Sequence, residues 1–465
     1  MTETTEENGQ EPAKDDPLAV DASPTKDFFV DTITRDIALD RALADLVDNC
    51  IDGAKRLRDA AEALGENMAG GQRYNGLYAR LTVTPEEFII ADNCGGIALD
   101  IARKYAFKFG RAAGFTETPN SVGQFGVGMK RALFKMGKRF EVRTADSQHS
   151  YRIDVDVQKW LTERSWDFRI EDLEENTTGK TEVGTTIRCW DLYPGVSELF
   201  KQDYFRRNLV SRIRTAQQHF MRNGFTIYIN DEAIIPNEWQ LQTGSGIDPL
   251  HQRFEDKLGG GPPLHTRIFA GVGSSNQSQA GWYVFCNGRC IVEADQSSAT
   301  GWGDIAGGGG IGIPRYHNQF SRFRGYAFLD CSKSEKLPWN TTKTGLDYED
   351  PAYRMLIGRL VTATRPVIDF LNELDRETDL EEGDRELSTS LRGSTSTPIA
   401  DLPERAAFSY SAPTRRGPTL RSISYKKPES EVGELAAKLD VRAAKDVGVR
   451  SFEYAYQRLV VEDDL

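Results

Sequence analysis

The stretch ALADLVDNCIDGAKR places Asp45 and Asn49 four residues apart, on one face of the helix that its apolar spacing predicts. In that arrangement a carboxylate can orient and deprotonate a water, while the amide oxygen joins the shell of Mg²⁺, which prefers hard oxygen donors. Asp52 falls about one turn further along. Taken alone, the same pattern is an amphipathic helix with solvated acids. In EFIIADNCGGI an apolar strand ends at Asp92 and opens into a turn through Gly95 and Gly96, followed by Ile97. An aspartate at such a strand end can accept a hydrogen bond from an exocyclic amine such as that of adenine, although many such residues only close an Asx turn. In NSVGQFGVGMKRALFKMG, Gly123, Gln124, Phe125, Gly126, Val127 and Gly128 precede an apolar helix. Glycines let backbone N–H groups approach phosphate oxygens, and a helix N-terminus favours anions. Lys130, on the first turn, could add a point charge or be solvated. In EVGTTIRCWD, Thr185 follows a glycine at the opening of a strand.

The elements that must position these residues alternate between helix and strand. Residues 27–236 hold all four motifs. LYARLTVTPEEFIIADN reads as two β-branched runs joined by a Pro-Glu-Glu turn. KQDYFRRNLVSRIRTAQQHFMRNG has Phe205, Leu209, Ile213 and Phe220 at near-helical spacing and stops at Gly224. Residues 237–376 form a second, β-rich domain, with strands expected in TRIFAGVG, AGWYVFCNGRCIV and RGYAFLDC. It closes with a helix over MLIGRLVTATRPVIDFLNELDR that Pro366 is expected to kink or break. Residues 377–431 are rich in Ser, Thr, Pro, Gly and charge, and a flexible linker is expected there. Residues 432–465 hold two short helical patterns, and residues 1–26 an acidic tail.

Composition narrows the class. The 465 residues are 39% hydrophobic and 28% charged, as in an ordinary water-soluble protein, and no run of about 18 apolar residues suggests a membrane span. The N-terminal segment shows neither a secretory nor a mitochondrial pattern, so a cytoplasmic setting is expected. Six cysteines without framework spacing fit a reduced compartment, and the Cys286/Cys290 pair lacks the partners of a zinc site. A net charge of −12 argues against a chain that coats nucleic acid over its whole surface, while leaving local basic clusters such as Arg206, Arg207, Arg212 and Arg214 open to phosphate contact.

Taken together in this order, the four motifs resemble the boxes of the GHKL superfamily of ATPases (gyrase, Hsp90, histidine kinase, MutL). VGQFGVGMK is similar to the Hsp90 phosphate loop, and ALADLVDNCIDGA to the first box of MORC- and MutL-type ATPases. The resemblance implies an α+β fold: a Bergerat α/β sandwich, then a β-rich transducer domain and a flexible C-terminal region. It implies ATP and Mg²⁺, with Asp45 as general base, Asn49 on the metal, Asp52 and Gly96 shaping the pocket, and Asp92 on adenine with support from Thr185. Gly123 to Gly128 and Lys130 would hold the phosphates, under a mobile lid over residues 97–121. VFCNGRCIV and LPWNTTKTGLD resemble transducer segments, which makes Lys343 the sensor of the terminal phosphate. Family members usually carry Glu where this chain has Asp45. The missing methylene implies slow hydrolysis.

The resemblance implies an ATP-gated machine that dimerises through its N-terminal domains and acts on DNA or a protein client, in DNA handling or bacterial phage defence. A non-hydrolysing nucleotide scaffold and an Hsp90-like chaperone are the alternatives. A histidine kinase fits poorly, because all five histidines lie after the first box.

Overall fold

A computed structural model of the chain describes residues 24–63, 72–109, 119–123, 128–176, 182–305, 312–340, 343–412 and 423–461. Two compact units emerge, residues 1–412 and 413–465.

The first unit opens with α1 (Lys26–Arg35), α2 (Leu39–Ala63), β1 (Tyr78–Val83) and β2 (Glu87–Asp92). There follow α3 (Leu99–Ile101), which runs on as a wider turn to Ala106, then α4 (Gly128–Met136), β3 (Gly137–Ala145), β4 (His149–Asp156), α5 (Val157–Thr162), β5 (Glu171–Glu175) and β6 (Gly184–Leu192). Next come α6 (Pro194–Phe200), α7 (Asp203–Arg222), β7 (Thr226–Ile229) and β8 (Glu232–Ala233). The strands form one eight-stranded sheet in the order β5-β4-β3-β6-β2-β1-β7-β8, antiparallel except where β1 runs parallel to β7. Along β1 every second residue is buried, and on β2 Phe88 and Ile90 are, which is why one face is apolar and can receive helices. Against that face pack α2, α4 and α7. The helix ends where the sequence suggests: α7 stops at Arg222, and Gly224 takes a positive φ of 96°.

Helix α2 is unusual in its burial. Its 25 residues include the buried apolar set Ala42, Leu43, Leu46, Val47, Cys50, Ile51 and Ala54, and Asp45, Asp48 and Asp52 are buried with them. Those three acids share one face through i, i+3 and i+7 spacing. A solvated acid face is thereby ruled out.

The second part of this unit comprises β9 (Gln240–Thr243), β10 (Ile247–Asp248), β11 (Leu250–Asp256), β12 (Leu264–Val272), β13 (Gly281–Cys286), β14 (Arg289–Asp295), β15 (Phe323–Asp330) and α8 (Pro351–Arg376). A five-stranded sheet in the order β11-β12-β15-β13-β14 carries α8 on one face. Of the kink or break expected at Pro366, the break does not occur: the helix continues through it. Interior proline costs about 3 kcal/mol, and the buried residues around it, Leu360, Val361, Ala363, Val367 and Phe370, supply packing that offsets this.

The linker expected over 377–431 is corrected as far as residue 412. It contains α9 (Glu386–Gly393), β16 (Thr395–Pro398) and β17 (Ser409–Tyr410). β16 pairs with β9 and β17 with β10, so the backbone of this polar stretch completes two small sheets. Four of its apolar residues, Leu387, Ile399, Leu402 and Phe408, are buried. Average composition hid them. The second unit holds α10 (Glu429–Leu439) and α11 (Ala444–Tyr456), which pack on each other.

Candidate functional site

The acidic face of α2 is the floor of the site. Asp52 accepts hydrogen bonds from the backbone N–H groups of Val122, at 2.8 Å, and Gly123, at 2.6 Å. The first residues of the glycine loop are thus fixed to the helix. One turn back, Asn49 is exposed, and Gly123 passes so close that a Cβ there would lie 3.7 Å from its Oδ1. Asp45 is 7% exposed and accepts from Arg131 at 2.7 Å, with Arg289 at 3.4 Å from its other oxygen. The acid and the amide do share a face as expected, but the acid is engaged by two guanidinium groups.

The strand end forms the opposite wall. The carboxylate of Asp92, at the end of β2, accepts from the Cys94 N–H at 2.8 Å, which closes the turn, and pairs in register with Thr185 of β6. Burial pushes the Asp92 carboxyl above its ordinary value, against the Cys94 N–H and the Cys50 thiol, which hold it down. Three glycines permit this geometry. Gly96 has φ of 69°, and a Cβ on it would meet the Ala145 carbonyl at 2.1 Å. A Cβ on Gly184 would lie 2.0 Å from the Asp92 carbonyl, and one on Gly53 would lie 2.7 Å from that of Cys94. Ile97 is pinned on both sides, its N–H donating to Thr144 Oγ1 at 2.8 Å and its carbonyl accepting from Tyr151 at 2.8 Å. Thr144 in turn contacts Thr185 Oγ1 at 3.1 Å. Thr144 and Tyr151 lie on neighbouring strands far along the chain, so no local spacing marked them.

Gln124, Phe125, Gly126 and Val127 lie outside the described residues, as does part of the expected lid. Gly128 opens α4 beside Asp45, where a Cβ would sit 3.6 Å from the aspartate Cβ. Lys130 requires a correction. Its ammonium is turned into the protein, donating to the carbonyls of Ala106 at 2.9 Å and Lys108 at 2.6 Å, and burial pulls its pKa down to about 8. It anchors the end of the α3 segment instead of facing the loop, because α4 presents it with the buried residues Ala132, Leu133 and Phe134.

The second sheet reaches into this floor. Between β13 and β14, Asn287 (φ 47°) and Gly288 (φ 84°) make the tight turn that Asn-Gly favours. The tip packs on α7, where a Cβ on Gly288 would meet Phe220 at 2.7 Å. This aims Arg289 between Asp45 and Asp48, the latter a bond shared with Gln217 at 2.6 Å. Lys343 arrives from the other side and donates to Asp48 at 2.7 Å. Asp48 is fully buried; burial works to raise its carboxyl pKa, but Arg289 and Lys343 outweigh this and hold it below the ordinary value. Asn287 also donates to the Ser121 carbonyl at 3.2 Å, and Ser334 to the same oxygen at 2.6 Å. The segment leading into the glycine loop is therefore held on one side by α2 and on the other by the turn and loop of the second sheet region. Asp48, Arg131, Gln217 and Arg289 were not picked out from the sequence. The one signal that could have found Arg289 is its place in the NGR turn next to a predicted strand.

Among the described residues no cluster of three His, Cys, Asp or Glu side chains could hold a metal by itself. A single exposed amide oxygen on Asn49 fits Mg²⁺, which commonly takes one or two protein ligands and completes its shell with phosphates and water. Among the same residues no helix is long and apolar enough to cross a membrane. No curated protein matches the chain. Residues 37–185 match the family described as histidine kinase-, DNA gyrase B-, and HSP90-like ATPase. That span runs from just before α2 through the Asp92 turn and the glycine loop to Thr185; it lies in the mixed sheet with helices on one face, which has the layout of a Bergerat fold, and the β-rich part after it is transducer-like. The chain therefore carries, at residues 37–185, an ATPase domain of the GHKL superfamily.

Proposed function

We propose that the chain binds Mg-ATP between α2, the Asp92 turn and the glycine loop, hydrolyses it slowly, and converts the presence of the terminal phosphate into a change between its two sheets. The observation that carries this reading is the position of Lys343, whose ammonium crosses from the second sheet to Asp48 on the helix that also holds Asp45, Asn49 and Asp52. In the roles proposed, Asp92 accepts from the adenine amine with Thr185 beside it, Asn49 holds the metal, and Gly123 to Gly128 surround the phosphates. Mg²⁺, when bound, supplies charge neutralisation on the phosphate oxygens. Asp45 orients the attacking water. Calorimetry with Mg-ATP tests the pocket: Asp92→Asn is expected to weaken binding at least about tenfold, or about 1.4 kcal/mol, and unchanged affinity would defeat the assignment.

A second reading, a nucleotide-binding scaffold that does not hydrolyse, is favoured by the two arginines on Asp45. Turnover by the wild type compared with Asp45→Ala separates the two, since equal rates would remove Asp45 as base. The client we propose is a phosphate-bearing polymer such as DNA, met by a dimer formed when ATP binds. Arg206, Arg207 and Arg214 line one groove of about 410 Å³ beside β8, whereas Arg212 is drawn away by Asp40 at 2.5 Å. Size-exclusion chromatography with a non-hydrolysable ATP analogue and labelled duplex checks this. A monomer under all conditions that never retains DNA would argue against the dimer and the client. A role in bacterial defence rests on family analogy alone.

A further inference from the structure

Three cations, Arg131, Arg289 and Lys343, face two carboxylates, Asp45 and Asp48, in a cluster whose most exposed side chain is 14% accessible. One positive charge is thus left over in a place nearly removed from water. Such an excess is costly until an anion joins it. The bonds are also unequal. Arg289 holds Asp48 Oδ1 through Nη1, while its Nη2 is 3.4 Å from Asp45 Oδ1, longer than a normal N–H···O bond. The other oxygen of Asp48 belongs to Lys343, at 2.7 Å.

We propose that Asp48 is an exchange site that couples the departure of Lys343 toward a terminal phosphate to the release of Asp45 by Arg289. This deepens the ATP-hydrolysing reading and rests on it. When the Lys343 ammonium moves to the phosphate, Asp48 Oδ2 loses its donor. A fully buried carboxylate left half satisfied is strongly unfavourable. Of the two donors already on the other oxygen, Gln217 and Arg289, only Arg289 carries a charge, and a guanidinium prefers to grip a carboxylate with two parallel N–H groups. Its Nη2 swings from Asp45 to Asp48. Asp45 then keeps only Arg131 on Oδ2, and Oδ1 is open to a water beside Asn49. In the absence of the terminal phosphate, Lys343 stays on Asp48, Arg289 spans both acids, and Asp45 is restrained. Asp48 and Arg289 are thus positioning residues, and they make hydrolysis conditional on the phosphate that is to be removed.

The test uses the full-length chain and reads ATP affinity by calorimetry and kcat by phosphate release. Asp48→Asn removes the charge for which Lys343 and Arg289 compete. Lys343 is then unheld and ATP affinity does not weaken, but Arg289 stays on Asp45 and kcat falls about tenfold. Adding Arg289→Gln to Asp48→Asn removes that restraint, and kcat is expected to recover at least about fivefold over the single variant. A purely structural role makes the double variant no faster than the single one, and that result overturns the proposal. If the wild type binds no ATP, the ATP reading itself fails and the proposal falls with it. Should Asp48→Asn lack a cooperative melt, hydrogen exchange on the wild type decides. With a non-hydrolysable ATP analogue, residues 337–347 around Lys343 are expected to change protection while residues 284–292 around Arg289 keep theirs. A change in both, or in neither, overturns the proposal.

Discussion

The shared placement of Asp45 and Asn49 on α2 was legible in the sequence because a helix brings residues four apart to one face. Asp48 was not. From the sequence it is one more acid on an amphipathic helix, and only the arrival of Arg289, Lys343 and Gln217 from elsewhere in the chain makes it a buried hub. Lys130 shows the converse. Its place after the glycine loop suggested a phosphate contact, yet α4 turns it toward the carbonyls of Ala106 and Lys108. Lys130→Met is therefore expected to change ATP affinity by less than about threefold in calorimetry. A loss of about tenfold or more would return this lysine to the phosphates.

At the scale of elements, local patterns read well where period and turn chemistry agreed. The β1/β2 pair, α7 with its Gly224 end, and the β12, β13 and β15 strands all form where alternation and glycine placement suggest. The misreadings share a cause: tertiary contacts overrode local preference. Pro366 is carried inside α8 by the packing around it, and the polar stretch after residue 376 is ordered by pairing with β9 and β10. Glu377 shows how this happens. It is 4% exposed, and its carboxylate accepts from the N–H groups of Leu387 at 2.6 Å and Ser388 at 2.8 Å, capping α9 from ten residues away. Glu377→Ala is expected to cost about 1 kcal/mol, the usual worth of an N-cap, or more because the freed donors are buried. Denaturant midpoints read the loss, and an unchanged midpoint would mean that the cap contributes nothing.

Across the whole first unit, the two sheets meet through α7 as well as α2. His219 lies there against Trp239 and Phe328, with ring centroids at 6.4 and 6.0 Å. Burial, reinforced by the positive charges of Arg267, Lys55 and Arg222, pulls its pKa down to about 3. The unfolded chain takes up this proton near the ordinary value of 6.5 and the folded chain does not, so stability falls as pH drops from 6.5 toward 3. Asp48 acts in the same direction at lower pH. Its carboxyl is held below the ordinary 3.8, so its contribution is present above that value and is lost as pH falls through the lower folded one. Thermal unfolding is expected to shift downward between pH 7 and pH 5, and His219→Gln is expected to flatten that slope. An equal slope in both proteins would sink the attribution. The sequence suggested the order of the two sheet-bearing parts, but the contact between them rests on a hairpin tip and a loop lysine whose meeting point only the folded chain defines.

The return of residues 395–410 to the second sheet region has a practical meaning for anyone dividing this molecule. Cutting after α8, where composition invites it, would strip β9 and β10 of their neighbours and bare Phe370, which Phe408 and Tyr410 cover at centroid distances of 5.6 and 5.0 Å. Unpaired strand edges beside an uncovered aromatic recruit other chains. A fragment ending near residue 380 is therefore headed for self-association, and one ending at 412 keeps its margins closed.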